Sequence, residues 1–156
     1  MRIGIGLDSH RLNEGTKKKL ILGGVEISKD YCLIADSDGD VIIHSLCNAL
    51  STAIGGGSLD TWAGEMFKKG VTDSREFLKV IVDRVKKKGL KINNAAIMVE
   101  AGKPKLEGFR EQMQLSLAKL LDVEADKVGI AFTTGEGLTT FGRGEGIQAF
   151  TIVSLI

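Results

Sequence analysis

Apolar and polar residues alternate in several short stretches of the chain. From Ile3 to Leu7 every second residue is apolar, which predicts a strand over residues 1–7. The same alternation around 20–27, interrupted by a glycine pair, predicts a hairpin. The remaining predicted strands are residues 90–99, 128–132 and 147–156.

Three other stretches carry apolar residues at helical spacing. The first, 41–54, follows a run of short polar residues that ends at Asp40 and suits a helix N-terminus. The second begins after Asp73 and ends in the lysine run 86–88, which favours the C-terminal end of a helix. In the third, Pro104 is expected in the first turn. Its apolar face is formed by Leu106, Phe109, Met113, Leu117 and Leu120.

The order of these elements favours an α+β fold, because strands and helices do not alternate regularly along the chain. We expect a mixed sheet of four to five strands with the helices packed on one of its faces. The length of 156 residues suits one domain, 1–156, with a core of its own.

The composition narrows the class of protein. Glycine contributes 20 of the 156 residues, nearly twice the usual share of about 7%. The net charge of +1 argues against a broad nucleic-acid-binding surface, and the apolar runs are too short for a membrane span. Cys32 and Cys47 form no CxxC motif, so we expect a reduced, cytoplasmic compartment. We therefore expect neither a nucleic-acid nor a membrane partner.

Both histidines of the sequence stand near carboxylates. Asp8 and His10 project from the same face of a strand, and His44 lies one turn into the first predicted helix. These three side chains offer the nitrogen and oxygen ligands of an open tetrahedral zinc site. Asp40 and Asn48, one turn before and after His44, are candidates to orient its ring. Two purely structural histidines with carboxylate neighbours are the alternative.

Glycine-rich stretches at 55–57, 135–137 and 142–146 allow backbone N–H groups to approach phosphate oxygens closely. Thr133 and Thr134 precede the second stretch, which contains Glu136. Hydroxyl groups and a carboxylate suit a hydrated Mg²⁺ ion and a diphosphate. Tight turns that follow a threonine-ended strand are the simpler interpretation.

Five segments in this order along the chain match a known pattern. They are IGIGLDSH at 3–10, ADSDGDVIIHSLCNAL at 35–50, DSRE at 73–76, PKL at 104–106 and TTGEGLTTFGRGEGI at 133–147. Together they resemble the 2-C-methyl-D-erythritol 2,4-cyclodiphosphate synthase family of non-mevalonate isoprenoid biosynthesis, over essentially the whole chain.

This resemblance implies a homotrimer of α+β protomers around a central, sheet-lined axis, with active sites between neighbouring subunits. It matches Asp8, His10 and His44 to three zinc ligands. It matches Glu136 to the carboxylate that holds a second ion, Mg²⁺ or Mn²⁺, at the diphosphate. Thr134 matches a threonine that stabilises charge in the transition state.

The implied substrate is 4-diphosphocytidyl-2-C-methyl-D-erythritol 2-phosphate, a cytidine diphosphate-linked small molecule. Its 2-phosphate attacks its own β-phosphorus, which releases CMP. Arg143 and Glu145 also match residues near the trimer axis, where relatives enclose an apolar cavity for an isoprenoid diphosphate. The residues implied to contact the substrate are Ser37, Ser58, Glu100, Ala101, Gly102, Lys103, Pro104, Lys105, Leu106, Thr133, Gly135 and Arg143.

Several positions depart from the family pattern. Asp36 stands where the family has a histidine that acts on the transition state, and an ionised carboxylate there repels phosphates unless it is neutralised. Ser58 replaces an aspartate that binds the erythritol hydroxyls, and Asp60 is a candidate to compensate. Asn48 stands where many relatives have aspartate, and residues 61–69 lack the usual loop.

These departures leave three functions to compare. The first is a metal-dependent cyclodiphosphate synthase in which position 36 is catalytic. The second is a trimeric diphosphate- or nucleotide-binding relative whose activity is weak or altered because of Asp36 and Ser58. The third, which ignores the resemblance, is a zinc phosphoesterase that uses metal-bound hydroxide.

Overall fold

A five-stranded sheet forms the centre of the protein in the computed structural model, which describes residues 1–15 and 17–156. The strands are β1 (Arg2–Glu14), β2 (Leu20–Leu22), β3 (Val25–Ser28), β4 (Tyr31–Leu33), β5 (Ile92–Ala101), β6 (Val128–Thr133) and β7 (Gly146–Leu155). The order in the main sheet is β4-β1-β7-β5-β6, while β2 and β3 form a separate hairpin. Only the β5–β6 pair is parallel among the described strands, so the prediction of a mixed sheet is confirmed.

In the described part of the chain, four α-helices complete the α+β fold, which confirms the predicted class. They are α1 (Val41–Ala53), α2 (Leu59–Lys68), α3 (Ser74–Lys87) and α4 (Arg110–Leu121). Helix α1 packs against β1 and β7, and α4 packs against β6. On the helix-covered side of the sheet, Val99 and Val153 are fully buried, whereas Met98 and Ile152 on the opposite side are exposed. Among helices in the described residues, none is long and apolar enough to span a membrane.

Two glycines decide which face of β1 is buried. Gly4 and Gly6 lie directly under α1, where an added Cβ would stand 1.9 Å from the carbonyl oxygens of Ala49 and Ser45 respectively. Only glycine permits so close an approach of helix and strand. Because side chains alternate along a strand, the apolar residues of β1 occupy the other face and are exposed. The alternation therefore predicted the strand correctly, but the face of β1 that packs against the core carries the glycines and not the apolar residues.

The structure contains one helix that the sequence patterns did not predict. Helix α2 follows Ser58 and buries Leu59 and Ala63 against the core, with Phe67 partly buried beside them. The spacing of four residues is helical. Glycines at 55–57 and within the helix itself weakened that signal in the sequence. Residues 61–69, which lack the family's usual loop, therefore fold mostly as a helix.

The expected position of Pro104 in a helix is wrong. Helix α4 begins at Arg110, after a short 3₁₀ turn at Glu107–Phe109, and Pro104 precedes both. Two residues assigned to the helical stripe, Leu106 and Phe109, accordingly lie before α4. Strand β1 also runs further than predicted, so that His10 lies within it.

Candidate functional site

The close packing of α1 on β1 brings the three predicted metal ligands together. Asp8 and His10 continue the row begun by Gly4 and Gly6 on the helix-facing side of β1, and α1 carries His44. The Asp8 Oδ2 atom lies 3.2 Å from His10 Nε2 and 3.1 Å from His44 Nδ1. One ligand atom from each residue falls within 4.8 Å of the other two. Residues 36 positions apart thus form one cluster.

The chemistry of this cluster fits a divalent cation. His10 Nε2 is buried and has no hydrogen-bond partner among the described residues. Two imidazole nitrogens and a carboxylate oxygen that converge in this way are typical zinc ligands, and three protein ligands leave a position for substrate or water. A metal ion would satisfy this buried nitrogen, whose 3.2 Å contact with Asp8 Oδ2 is an ion pair that lacks hydrogen-bond geometry.

The electrostatics of the cluster favour a positive charge at its centre. Burial alone would raise the pKa of Asp8, but the imidazoles of His10 and His44 outweigh burial and lower that pKa below its ordinary value. For His44, burial lowers the pKa, but the carboxylates of Asp8, Asp40 and Asp38 together outweigh burial and the net pKa is raised. The site therefore stabilises an anionic Asp8 beside a cation, either a proton or a metal ion.

Hydrogen bonds to the His44 ring come from residues other than the two expected from helical spacing. Its Nε2 atom lies 2.8 Å from Ser74 Oγ and 3.3 Å from Ser37 Oγ. Asn48 instead donates to the Leu7 carbonyl at 3.1 Å and accepts from a backbone N–H of α2 at 2.7 Å. Ser74 lies 30 residues from His44, so no local spacing linked the two, although Ser74 belongs to the family-matching segment at 73–76.

Asp40 is the N-terminal cap of α1. Its carboxylate accepts backbone N–H groups from Ile43 at 3.0 Å, Gly23 at 2.9 Å and Gly24 at 2.7 Å. Complete burial raises the pKa of Asp40 to about 6 despite these bonds. The carboxylate thus ties the start of the helix that carries His44 to the β2–β3 hairpin, and its hydrogen bonds go to backbone N–H groups and not to the ring of His44.

A cavity of about 280 Å³ opens beside the metal cluster. Five residues singled out in the sequence line it together with the three ligands: Asp36, Ser37, Asn48, Ser58 and Asp60. Helix α2 forms one wall through Leu59 and Phe67. The described lining contains no lysine or arginine, so its charged groups other than histidine are all carboxylates.

A second cavity, of about 260 Å³, lies at the ends of β5 and β6. It brings together six of the twelve residues that the family resemblance implies to contact the substrate, and Thr134, which the resemblance matches to the transition state. They are Ala101, Gly102, Pro104, Lys105, Leu106, Thr133 and Thr134. Glu100 and Lys103 are held elsewhere: Glu100 accepts from Thr139 Oγ1, and Lys103 pairs with Glu14.

The two cavities open at the same end of the sheet. His10 on β1 pairs with Ile147 on β7, which in turn pairs with Ala101 on β5. Two strand spacings of about 4.8 Å separate His10 from Ala101 by about 10 Å.

The glycine-rich loop before β7 carries the remaining predicted residues. Glu136 is exposed in a short turn with a positive φ of 54°, and the adjoining Gly135 has φ 56°. The Nε atom of Arg143 donates to Glu145 at 3.1 Å. Within the described residues, Gly135, Glu136 and Arg143 line neither cavity.

Comparison with known proteins agrees with the pattern of segments in the sequence. The family model described as the YgbB family matches residues 1–156. The chain belongs to the YgbB family. Relatives from Chlamydia felis and Chlamydia abortus, each named 2-C-methyl-D-erythritol 2,4-cyclodiphosphate synthase, are 38% and 39% identical. Both alignments cover 99% of this chain and 89% of the relative.

Solved structures of YgbB-type proteins share the whole fold. A 2C-methyl-D-erythritol-2,4-cyclodiphosphate synthase in its CDP-bound form has a TM-score of 0.90 and 33% identity, covering 99% of this chain and 100% of its own. IspF from Plasmodium falciparum in complex with CDP has a TM-score of 0.86 and 29% identity, covering 99% and 95%. The family predicted from the sequence is therefore confirmed.

Proposed function

We propose that this protein converts 4-diphosphocytidyl-2-C-methyl-D-erythritol 2-phosphate into 2-C-methyl-D-erythritol 2,4-cyclodiphosphate and CMP, in non-mevalonate isoprenoid biosynthesis. The observation that carries the proposal is the metal cluster of Asp8, His10 and His44 at the mouth of a cavity in a full-length YgbB protein. Two similar structures are CDP complexes, which supports a cytidine diphosphate-linked substrate.

The proposed reaction needs no nucleophile from the protein. An oxygen of the substrate's 2-phosphate forms a bond to the β-phosphorus, and the bond from that phosphorus to the bridging oxygen breaks as CMP leaves. Both reacting groups are anionic, so catalysis depends on holding them in line and neutralising the charge between them. Zinc bound by Asp8, His10 and His44 would supply a Lewis acid for a phosphate oxygen.

The second cavity supplies groups that suit the nucleotide part of this substrate. The ammonium group of Lys105 suits a phosphate, and the hydroxyls of Thr133 and Thr134 suit phosphate oxygens or a hydrated cation. We assign Thr134 to charge stabilisation in the transition state. Glu136, exposed in the turn beside Thr134, is the proposed carboxylate for a second ion, Mg²⁺ or Mn²⁺.

The outer face of the sheet supports the proposed homotrimer. Ile3, Ile5 and Leu7 are 65%, 54% and 51% exposed, and Met98 and Ile152 continue the apolar surface across β5 and β7. A contiguous apolar face of this kind marks a contact between proteins. We propose that three copies pack through it around an axis, near which Arg143 and Glu145 would border a cavity for an isoprenoid diphosphate.

The assembly is tested by substitution on that face. The variant Ile5→Lys places a charge on the proposed interface without touching the helix-covered side. Sedimentation velocity should give a trimer for the wild type and smaller species for the variant, whereas Lys87→Glu, at an exposed position of helix α3, should remain trimeric. A monomeric wild type at micromolar concentration would contradict the proposal. A cytoplasmic location, also proposed, is tested by cell fractionation.

One observation favours the alternative function, a binding protein with weak turnover. The first cavity presents the exposed carboxylates of Asp36 and Asp60 to any ligand, and its described lining offers no lysine or arginine to balance them. A polyanionic substrate is repelled there unless cations accompany it. Substitution of Ser58 for the family's aspartate also changes the hydrogen bonds available to the sugar.

The deciding experiment incubates the purified protein with the substrate, Zn²⁺ and Mg²⁺. Release of CMP, measured by chromatography, together with a cyclic product seen by ³¹P NMR, supports the synthase. Linear hydrolysis products would indicate a phosphoesterase. If the wild type released no more CMP than a His44→Ala control, the result would support the alternative function of a binding protein.

Asp36→His tests the departure from the family directly. We expect a higher turnover because the substitution removes a like charge that faces the phosphates, while Asp30→His, which changes an exposed carboxylate outside the cavity, should leave the rate unchanged. An unchanged rate in Asp36→His would mean that Asp36 serves this site in another way. Metal analysis of His10→Ala should show a loss of zinc; full occupancy would refute the ligand set.

A further inference from the structure

A buried serine contacts the ring nitrogen of His44 that faces away from the metal cluster. Ser74 is the first residue of α3 and is completely buried, and its Oγ atom lies 2.8 Å from His44 Nε2. The other ring nitrogen, Nδ1, faces Asp8 at the metal cluster. His44 therefore spans the distance between the cluster and the N-terminus of a second helix.

Asp38 fixes the direction of the hydrogen bond between Ser74 and His44. The carboxylate of Asp38 accepts the Ser74 hydroxyl proton, and its other oxygen accepts the Ser74 backbone N–H at 2.9 Å. The backbone N–H of Asp40 donates to the same carboxylate at 3.0 Å. A carboxylate has only acceptor capacity, so the single proton of the Ser74 hydroxyl points towards Asp38.

Because the Ser74 proton points towards Asp38, the Ser74 oxygen presents a lone pair to the imidazole of His44. At 2.8 Å, a lone pair on Ser74 Oγ requires a proton on His44 Nε2. In a neutral imidazole with a proton on Nε2, the lone pair resides on Nδ1, the atom that faces Asp8 and the metal position. Ser37 Oγ, at 3.3 Å from Nε2, is the longer of the two contacts.

We propose that Ser74 and Asp38 are positioning residues that hold His44 in the tautomer and orientation required for metal binding through Nδ1. This inference rests on the proposed metal site and not on the proposed reaction. Outer contacts of this kind orient ligating histidines in many metal sites, and their loss weakens metal affinity by about 10- to 100-fold.

The structure supplies a matched control for this inference. Ser45 is also completely buried and follows His44 directly on α1, but its hydroxyl donates to the Ile42 carbonyl at 2.9 Å and lies 2.7 Å from Thr151 Oγ1. Ser45→Ala and Ser74→Ala therefore remove the same atom from equally buried positions. Only the second change removes a contact with the imidazole.

The test is zinc binding by the apo form of the full chain, measured by competition with a chromophoric chelator. We expect Ser74→Ala to weaken zinc affinity about 10- to 100-fold and Ser45→Ala to change it less than about twofold. Urea unfolding of all three proteins separates a loss of stability, which both variants share, from a loss of metal affinity. Equal zinc affinity in wild type and Ser74→Ala would overturn the inference while leaving the metal site intact. A wild type that binds no zinc would overturn both.

A second measurement covers the case in which Ser74→Ala does not fold. The chain has two histidines, so ¹⁵N-labelled, zinc-loaded wild type gives two ring spin systems. For His44 we expect a protonated Nε2 and a metal-shifted Nδ1. Zinc on Nε2, with the proton on Nδ1, would refute the inference without any variant. Asp38→Asn should weaken zinc affinity in the same direction, and an unchanged affinity in this variant would contradict its part in the inference.

Discussion

Gly6→Ala should displace the metal-binding helix from the strand that carries the other two ligands. A Cβ at position 6 would stand 1.9 Å from the Ser45 carbonyl oxygen and 2.4 Å from the Ala49 backbone nitrogen. Both are backbone atoms of α1, so no side chain can rotate away to make room. Strand β1 is held by ten consecutive pairs with β7, from Arg2 to Arg11, so the helix has to move.

The size of that movement follows from the contact distances. An ordinary contact of about 3.4 Å requires α1 to withdraw by about 1.5 Å from its present 1.9 Å. His44 precedes Ser45 on the helix, and its Nδ1 lies 3.1 Å from Asp8 Oδ2. Metal–ligand distances tolerate only about 0.2 Å of change. We expect zinc affinity to fall by more than about 100-fold, and stability by about 3 kcal/mol, the upper part of the range for overpacking.

Two assays on the same variant check this reasoning. Urea unfolding gives the loss of stability, and chelator competition at a temperature where the variant is folded gives the zinc affinity. Gly64→Ala is the control, because a Cβ there meets nothing within 4 Å in helix α2, and it should gain up to about 1 kcal/mol. A Gly6→Ala protein that binds zinc as tightly as the wild type would refute the link between the helix–strand contact and the site.

Three further predictions concern buried polar groups. Burial raises the pKa of Asp40 to about 6, so the folded protein binds a proton at this carboxyl more tightly than the unfolded chain does. Protonation of Asp40 therefore stabilises the fold as the pH falls below 6. The stability difference between wild type and Asp40→Asn should therefore increase by about 2 kcal/mol as pH falls from 6 to 4, measured by urea unfolding; a constant difference would contradict that pKa. Burial likewise raises the pKa of the Cys47 thiol, so mass spectrometry should find Cys47 unmodified by iodoacetamide in the folded protein at pH 8 and modified after unfolding. Thr151→Val removes the hydroxyl that contacts Ser45 and should cost about 1 kcal/mol, while zinc affinity stays unchanged.

Local patterns in the sequence were sufficient for most elements of the fold. The strand at Ile3–Leu7, helix α1 after its Asp40 cap, and helix α3 with its terminal lysines all follow from spacing and capping over a few residues. The metal cluster was also predictable, because Asp8 and His10 alternate on one strand and His44 follows a recognisable helix start. Their role as metal ligands stays a prediction.

The features that were missed depend on contacts between distant segments. Helix α2 contains Gly64 and follows three glycines, so its helical propensity is low and burial of Leu59 and Ala63 decides its structure. Pro104 suits the first turn of a helix, yet the chain there forms the wall of the second cavity. Ser74 reaches His44 only because α3 packs against α1. No spacing rule within a single element anticipates such a contact.

The position of β7 in the sheet affects how the protein folds during its synthesis on the ribosome. Arg2 pairs with Leu155, so β1 can pair with β7 only after the residues between them have been synthesised. At usual rates of translation this takes about 8 to 30 s. Until then β1 has only the short β4 as a sheet neighbour, with three residue pairs. The nascent chain therefore exposes an unpaired edge of β1 until β7 has been synthesised, and such an edge is prone to aggregation.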